Sequence, residues 1–384
     1  MKQTQETLRK EDTTKQKVLY IAFELGNTEW KLAFSDGSKI RYVSIDARKL
    51  YQVEREIERA RKHFGLAEGI QIVSCYEAGR DGFWLHRYLM STGIENLVVD
   101  SSSIEVNRRR RRAKTDRLDA GKLLGMLQRY VGGEQRAWRV VRVPTEQVED
   151  ERNIGRELDV LMAERTMHSN RIKGLLVQQG IVIKNVISKK FLNKLEVACR
   201  WDGQRVAGDF KARIVREHER LRMVYEQMRR LKKERAARVQ RQATRSMKQV
   251  VQLQKLRGIG PESSWDLVME FFGWRQFQNR RQVAALAGLT PTPYDSGGSV
   301  REQGISKEGN RRIRALSIES AWCWLRFQPE SHLSQWFEQR FATGGKRMRR
   351  IGIVALARRL LIELWRYLNT GVIPQGAHLS RQET

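Results

Sequence analysis

Residues 108–120 read RRRRRAKTDRLDA and join a run of arginines to two aspartates, Asp116 and Asp119, three positions apart. The residues from Ala120 to Leu127 are mostly apolar at helical spacing, so the aspartates are predicted to begin an amphipathic helix. This spacing places both carboxylates on one helical face, where they can hold a cation. The alternative is ordinary helix chemistry, since acids near a helix N-terminus complement its dipole.

The chain is strongly basic. Its 384 residues include 73 Lys and Arg against 44 Asp and Glu, a formal charge of +29. Such an excess is more than solubility requires and predicts a polyanionic partner. A hydrophobic content of 40% allows a buried core, which excludes a disordered basic tail, and the length predicts two or three domains.

Cysteine usage and hydropathy indicate where the protein works. Cys75, Cys199 and Cys323 are scattered and form no CxxC pair, which predicts neither a disulfide framework nor a zinc knuckle and fits a reducing cytosol. Residues 1–17 read as a polar tail without an apolar segment, and the apolar run Ile351–Ala357 is cut short by two arginines. We therefore expect no signal peptide, no membrane span and a cytoplasmic protein.

Residues 18–145 are predicted to form an α/β domain. Short apolar runs and turn signals indicate a three-stranded meander followed by helix, strand, helix and strand. Glu24 follows the first strand and Glu77 the fourth, and ligands in such sheets gather at the carboxyl ends of strands. This succession is that of the RuvC-like (ribonuclease H-like) fold, in which acids from the first strand, the fourth strand and a late helix converge on divalent metal. The alternative is that each glutamate simply ends its strand.

Residues 146–250 are predicted to form a helical coiled-coil arm. Glycine and proline are rare over long stretches, and Ile214, Leu221 and Met228 recur every seven residues within a charged sequence. The alternative is a helical hairpin that packs within its own chain.

Residues 251–384 are predicted to form a mainly α C-terminal domain. Residues 256–261 (LRGIGP) place Gly258 and Gly260 around an isoleucine, as in a helix-hairpin-helix that approaches a DNA phosphate, although a simple turn also explains them.

A glycine-rich loop, Asp295–Ser299, exposes Ser296 beside bare backbone. Four cations follow this loop and are predicted to lie within reach of a phosphate. The alternative is a flexible surface loop followed by a solvated basic helix. They are Lys307, Arg311, Arg312 and Arg314.

Several motifs together resemble the DEDD transposases of the bacterial IS110/IS1111 insertion-sequence family. They are YEAG at 76–79, AKTDRLDA at 113–120, LRGIGP at 256–261, AGLTP at 287–291, and SGG at 296–298 with GISKEGNRRIR at 304–314. The similarity runs in the same order over residues 18–324. It implies a RuvC-like domain, a coiled-coil arm and a C-terminal transposase domain with a catalytic serine. Members are recombinases guided by a structured noncoding RNA that pairs with donor and target DNA.

The resemblance also implies roles for particular residues. Glu77, Asp116 and Asp119 match the second, third and fourth acids of the family, and Ser296 matches its serine. The first acid is normally an aspartate, and here Glu24 holds that place with a longer side chain.

The expected protein is therefore an RNA-guided DNA recombinase that cleaves and rejoins strands through a phosphoserine. The four acids would hold Mg²⁺ or Mn²⁺. Its expected partners are donor and target double-stranded DNA, the element-encoded guide RNA and further copies of itself as a dimer or tetramer, associated with the bacterial nucleoid. Two alternatives remain: a RuvC-type metal nuclease without serine chemistry, and a non-catalytic nucleic-acid binding protein. The expected nucleic-acid contacts are Arg108, Arg109, Arg110, Arg111, Arg112, Lys114, Gly258, Gly260, Lys307, Arg311, Arg312 and Arg314.

Overall fold

A computed structural model describes residues 17–104, 116–296 and 299–380. Within these ranges, the side chains of residues 116–118, 293–296 and 299–303 are not described. Backbone contacts divide the chain into two compact units, Met1–Val143 and Pro144–Thr384.

The first unit is built on a five-stranded sheet with the strand order β3-β2-β1-β4-β5. β1 pairs antiparallel with β2 and parallel with β4, and β4 pairs parallel with β5. The predicted order of three strands, helix, strand, helix and strand is confirmed. The elements are β1 (Val18–Leu25), β2 (Glu29–Ser35), β3 (Ile40–Asp46), α1 (Leu50–Phe64), β4 (Gln71–Glu77), α2 (Trp84–Ser91), β5 (Glu95–Val99) and α3 (Asp116–Val131).

The central strand β1 is buried on both faces, which explains why its sequence is an apolar run and not an alternating one. Leu19, Ile21 and Phe23 pack in one core cluster with α1 and α2. Ala22 packs on the opposite face with α3, in a cluster that includes Leu123. The sheet therefore forms the middle layer of a three-layer unit.

In the residues that the structure describes, the second unit is helical except for one β-hairpin. A π-helical turn at Val268–Phe272 continues α9. The helices are α4 (Glu146–Glu151), α5 (Asn153–Val177), α6 (Phe191–Val197), α7 (Gly208–Arg241), α8 (Arg245–Gln254), α9 (Pro261–Leu267), α10 (Arg280–Leu286), α11 (Arg311–Phe327), α12 (His332–Phe341) and α13 (Lys346–Thr370). The strands are β6 (Pro291–Ser296) and β7 (Ser299–Ile305), and they pair antiparallel.

The seven-residue seam of α7 is covered by α5 of the same chain. Ile214 and Leu221 share a core cluster with Ile172 and Leu176. Met228 lies in the cluster that contains Leu158, nearer the start of α5. The two helices are thus antiparallel, which is the hairpin alternative that the sequence left open.

Buried charge also ties these two helices together. The Glu217 carboxylate on α7 accepts hydrogen bonds from Arg171 at 2.7 Å and Arg220 at 2.8 Å, and His168 Nδ1 lies 2.7 Å from it. Burial raises the pKa of Glu217, but His168, Arg220 and Arg171 outweigh it and hold the pKa below its ordinary value. The carboxylate therefore stays charged inside the hairpin.

Of the helices that the structure describes, none combines the length and apolar character needed to span a membrane.

Candidate active site

Glu24 and Glu77 lie side by side at the carboxyl ends of two parallel strands. The register of β1 and β4 pairs Ala22 with Cys75 and Phe23 with Tyr76. Glu24 and Glu77 are the next residues along each strand: Glu24 is the last but one residue of β1, and Glu77 is the last residue of β4. Side chains alternate between the faces of a sheet, so both glutamates belong to the face of Ala22 and Cys75.

That face is covered by α3, whose direction is fixed by two contacts. Cys75 Sγ lies 3.9 Å from the Leu123 carbonyl oxygen, and Gln128 Nε2 donates to Ser35 Oγ at 2.9 Å. Ser35 is the register partner of Tyr20, near the start of β1. Moving from Gln128 back to Leu123 therefore moves toward the carboxyl end of β1. The helix α3 runs antiparallel to β1, and its first turn lies at the edge of the two glutamates.

Simple distances place Asp119 level with Glu77. The four residues from Leu123 back to Asp119 span about 6 Å of helix. The two residues from Cys75 to Glu77 span roughly 6.6 Å of strand. Asp119 is half-buried and precedes Leu123 by four positions, so it is on the sheet-facing side of α3. Three predicted acids, Glu24, Glu77 and Asp119, thus come together at one edge.

The other predicted members of this edge are described only in part. Asp116 is the first residue of α3, one turn before Asp119, and its side chain is outside the description. The arginine run, residues 108–112, and Lys114 lie outside the described residues. Their proposed contacts with nucleic acid stay predictions.

Sequence reasoning missed Lys31, the register partner of Glu24 on β2. Directly opposite residues of antiparallel strands have their Cβ atoms about 5 Å apart and share one face. Lys31 is half-buried, as Glu24 is, so a cation stands beside the first acid. Alternation of Trp30, Leu32 and Phe34 with the residues between them predicts which side chains of β2 share a face, but the pairing of Lys31 with Glu24 depends on strand register.

Two arginines clamp the loops that follow the acid-bearing strands. Arg80 donates to the Gly26 carbonyl oxygen at 3.3 Å and to Asp81 at 3.0 Å. Arg48 donates to the Asn27 carbonyl oxygen at 3.1 Å and pairs with Asp81 at 3.4 Å. The loop after β1 and the loop after β4 are thereby held together around the acids.

Gly26 is required by this arrangement, because a Cβ atom there would overlap the Glu29 carbonyl oxygen. We expect Gly26→Ala to lower the free energy of unfolding by about 1–3 kcal/mol, the usual range for overpacking. Denaturant titration of the full chain measures this change. Gly125→Ala in α3 is the matched control, since its Cβ atom meets nothing within 4 Å. It should stabilise the helix by roughly 0.5–1 kcal/mol. Equal effects of the two changes would contradict the strained turn.

The donor set suits a hard cation, because carboxylate oxygens are the ligands that Mg²⁺ prefers. Among the side chains that the structure describes, no three Asp, Glu, His or Cys groups are close enough to hold a metal ion. To complete a coordination shell, the converging acids would therefore need the carboxylate of Asp116 or a small movement of their side chains toward one another.

In the second unit, Ser296 is the last residue of β6, and its register partner is Ser299 on β7. The segment that the sequence predicted as a loop is therefore the turn end of a hairpin, with Gly297 and Gly298 between the two serines and outside the described residues. The Ser296 side chain is not described. Its role as nucleophile stays a prediction.

The two motifs flanking this hairpin pack against each other. Asn310 N donates to the Leu286 carbonyl oxygen at 2.8 Å, and Ser306 N to that of Thr290 at 2.9 Å. Gly288 and Gly309 have φ of 66° and 101°, and a Cβ atom on either would overlap backbone of the other segment. Asn310 then caps α11 by accepting from Ile313 N at 3.1 Å.

The four predicted phosphate-binding cations of this region have different surroundings. Arg312 pairs with Asp266 at 2.8 Å and also with Asp159. Burial lowers the pKa of Arg312, but Asp266 and Asp159 outweigh it and raise the pKa above its ordinary value. Arg314 donates to the Ala287 carbonyl oxygen at 3.3 Å. Lys307 and Arg311 are exposed and form no ion pair with a described residue.

The LRGIGP segment joins α8 to α9, which fits both the predicted helix-hairpin-helix and the alternative of a simple turn. Gly258 has φ of 93°, and a Cβ atom there would lie 3.2 Å from Phe327 Cβ, so this glycine serves packing. Gly260 precedes α9, and a Cβ atom there would meet nothing within 4 Å. Of the two glycines, only Gly260 has open space for a ligand.

Comparison with known proteins places these features in a family. Residues 251–335 match the model described as "Transposase IS116/IS110/IS902 family". The Sinorhizobium fredii protein named "Putative transposase y4rJ" is 40% identical over 374 residues, which are 94% of each chain. The Coxiella burnetii protein named "Transposase for insertion sequence element IS1111A" is 24% identical over 248 residues, 63% of this chain and 62% of that one. The chain therefore belongs to the IS116/IS110/IS902 family of transposases.

Proposed function

We propose that this chain is an RNA-guided DNA recombinase that cleaves and rejoins strands through a phosphoserine on Ser296, assisted by divalent metal held by Glu24, Glu77, Asp116 and Asp119. The observation that carries the proposal is the placement of Glu24, Glu77 and the first turn of α3 at one edge of the sheet. Membership of the transposase family supports DNA as the substrate.

The clustering of acids favours a cation site. Carboxylates gathered at one edge repel each other, and a cation bound between them would remove that repulsion. Bound Mg²⁺ or Mn²⁺ would polarise the phosphate and lower the pKa of an attacking hydroxyl. Lys31 stands beside Glu24 and supplies part of the compensating charge. The clamp formed by Arg48, Arg80 and Asp81 would keep the loops in place when a nucleic acid binds.

The serine would conserve the energy of the phosphodiester bond. Ser296 Oγ attacks phosphorus, the Oγ–P bond forms, and the bond to the 3′ oxygen breaks; that oxygen takes up a proton and becomes a 3′ hydroxyl. A 3′ hydroxyl of the second duplex then attacks the phosphoserine and releases the serine. Lys307 and Arg311 would neutralise the phosphate, whereas Arg312 is engaged with Asp159 and Asp266.

The partners in this proposal are donor and target DNA, a structured guide RNA and a second copy of the chain. The guide RNA rests on the motif resemblance and on the +29 charge. The dimer or tetramer stays a prediction, because the α7 seam that suggested it is covered by α5.

A glutamate substitution at the sheet edge tests the function. We expect Glu77→Gln to reduce strand cleavage in Mg²⁺ by about 10³-fold or more, since losing a metal ligand removes several kcal/mol of transition-state stabilisation. The measurement is cleavage of labelled donor DNA by the protein with its guide RNA. Glu95→Gln is the matched control, because Glu95 begins β5 and lies at the opposite end of the parallel strands. Equal activity of the two variants would remove the acid edge from the mechanism.

A further inference from the structure

The hairpin of α12 and α13 carries a concentration of positive charge that the proposed chemistry does not use. Residues 339–362 contain seven Lys and Arg and no Asp or Glu. They are Arg340, Lys346, Arg347, Arg349, Arg350, Arg358 and Arg359.

These seven cations have no carboxylate partner among the residues that the structure describes. None of the seven forms a salt bridge with any residue in the described ranges. By contrast, Arg229 and Arg230 on α7 both pair with Glu226, and Arg366 near the end of α13 pairs with Glu363. The positive charge of residues 339–362 is thus not paired with a carboxylate in the described ranges.

The start of α13 projects from the fold. Residues 345–351 are all exposed, and burial begins at Gly352, which packs against the Phe341 ring. Exposure of consecutive residues means that every side of the helix faces solvent over this length, about 9 Å for residues 346–351. Met348 and Ile351 are exposed there between the cations. The projecting segment is narrow enough for the major groove of B-DNA, which is about 12 Å wide.

The charges of this segment are unfavourable for the isolated protein. The first turn of α13 has no acidic residue, and no side chain caps it. Cations at this end oppose the helix dipole, which favours negative charge at the N-terminus. An arrangement that costs stability in the free protein becomes favourable when a polyanion lies against it.

Three further arginines extend the positive surface along the hairpin. The Arg359 guanidinium stacks 3.8 Å from the Trp336 ring centroid, which fixes its position. Burial, and then the charges of Arg340 and Arg358, lower the pKa of Arg359, so these three arginines lie near one another. From Arg359 to Lys346 the strip extends about 20 Å along α13.

We propose that the exposed start of α13, together with Arg340, Arg358 and Arg359, binds the phosphate backbone of double-stranded DNA. The length of the strip matches a backbone that carries one charge per ~1.7 Å of duplex. Arginine and lysine contacts to phosphate position a protein on DNA without reading its sequence. The inference rests on the proposed function, since a DNA recombinase must hold duplex near its reacting strand.

The salt dependence of binding tests this surface. The probe is a labelled duplex of arbitrary sequence, and the buffer contains EDTA, so binding is measured independently of strand cleavage. In the variant K346Q/R347Q/R349Q/R350Q, we expect the slope of log affinity against log salt to fall in magnitude by about 1.8–3.6, that is by 0.9 for each of two to four lost phosphate contacts. The unfolding midpoint should not decrease, because the charges removed oppose the helix dipole.

A control variant removes the same charge elsewhere. R229Q/R230Q/R238Q/R366Q neutralises four arginines that are paired with Glu226, Glu234 and Glu363. Its slope should stay near that of the wild type. Equal slopes for wild type and the α13 variant, or equal losses in both variants, would overturn the proposal. A loss seen with an RNA hairpin probe but not with duplex DNA would assign the surface to RNA and likewise overturn it.

Discussion

Asp119→Asn is expected to reduce DNA strand cleavage by about 10³-fold or more while DNA binding persists. The substitution keeps the size of the side chain and removes its charge, so a metal ligand is lost and the fold is kept. Several kcal/mol of charge stabilisation correspond to this factor, since each 1.4 kcal/mol changes a rate tenfold. Single-turnover cleavage of labelled donor DNA, with guide RNA and Mg²⁺, measures the effect.

Glu134→Gln provides the control on the same unit. Glu134 follows the opposite end of α3 and pairs with Arg129 at 2.6 Å, away from the acid edge. An exposed ion pair of this kind contributes little to stability, so cleavage should be unchanged. Normal cleavage by Asp119→Asn would show that α3 supplies no metal ligand through this residue.

Ser296→Ala is expected to abolish recombination, with loss of any protein–DNA adduct and no loss of DNA binding. The hydroxyl is the proposed nucleophile, and alanine has no oxygen in its place. Loss of a hydroxyl at a hairpin end costs little stability, so the free energy of unfolding should change by no more than about 0.5 kcal/mol. Recombination between donor and target plasmids measures activity.

Ser299→Ala and Ser306→Ala are the comparison variants. Ser299 is the register partner of Ser296 across the hairpin. Ser306 Oγ lies 3.4 Å from Thr290 Oγ1, and the backbone N–H of Ser306 donates a hydrogen bond to the Thr290 carbonyl oxygen. Both variants should recombine. If recombination survives in Ser296→Ala and disappears in either of these, the nucleophile has been assigned to the wrong serine.

The sheet could be predicted because its signals are local. Apolar runs bounded by turn residues identify β1 to β5, and an acid at the end of a run identifies Glu24 and Glu77. Their convergence with Asp119 also follows from topology, since parallel neighbours end at one edge. Lys31 was missed because its place beside Glu24 depends on strand register, which the composition of β2 does not give.

The second unit was harder to predict because its decisive contacts are distant in sequence. The hairpin of β6 and β7 contains Pro291, Pro293 and Gly304, residues that normally argue against a strand. Arg312 looked available for phosphate because its carboxylate partner Asp159 lies far back in the chain, on α5. The seam of α7 predicts burial, but it does not say whether the covering helix belongs to the same chain.

The basic start of α13 went unrecognised for a different reason. Hydropathy draws attention to the apolar run Ile351–Ala357 and treats the surrounding arginines as interruptions. The structure shows that burial begins at Gly352 and that the preceding cations stand clear of the fold. Exposure along a helix depends on where its neighbours end, here Phe341 at the end of α12.

Mass spectrometry of the protein–DNA product formed by the wild type tests the central claim most directly. Donor DNA, guide RNA and protein are mixed in Mg²⁺, the reaction is stopped with denaturant, and the DNA-linked protein is digested with protease and nuclease. The account predicts one peptide that carries a nucleotide phosphate on Ser296, together with a free 3′ hydroxyl on the cleaved strand. Cleaved DNA with a free 5′ phosphate and no linked peptide, under conditions where recombination proceeds, would contradict it.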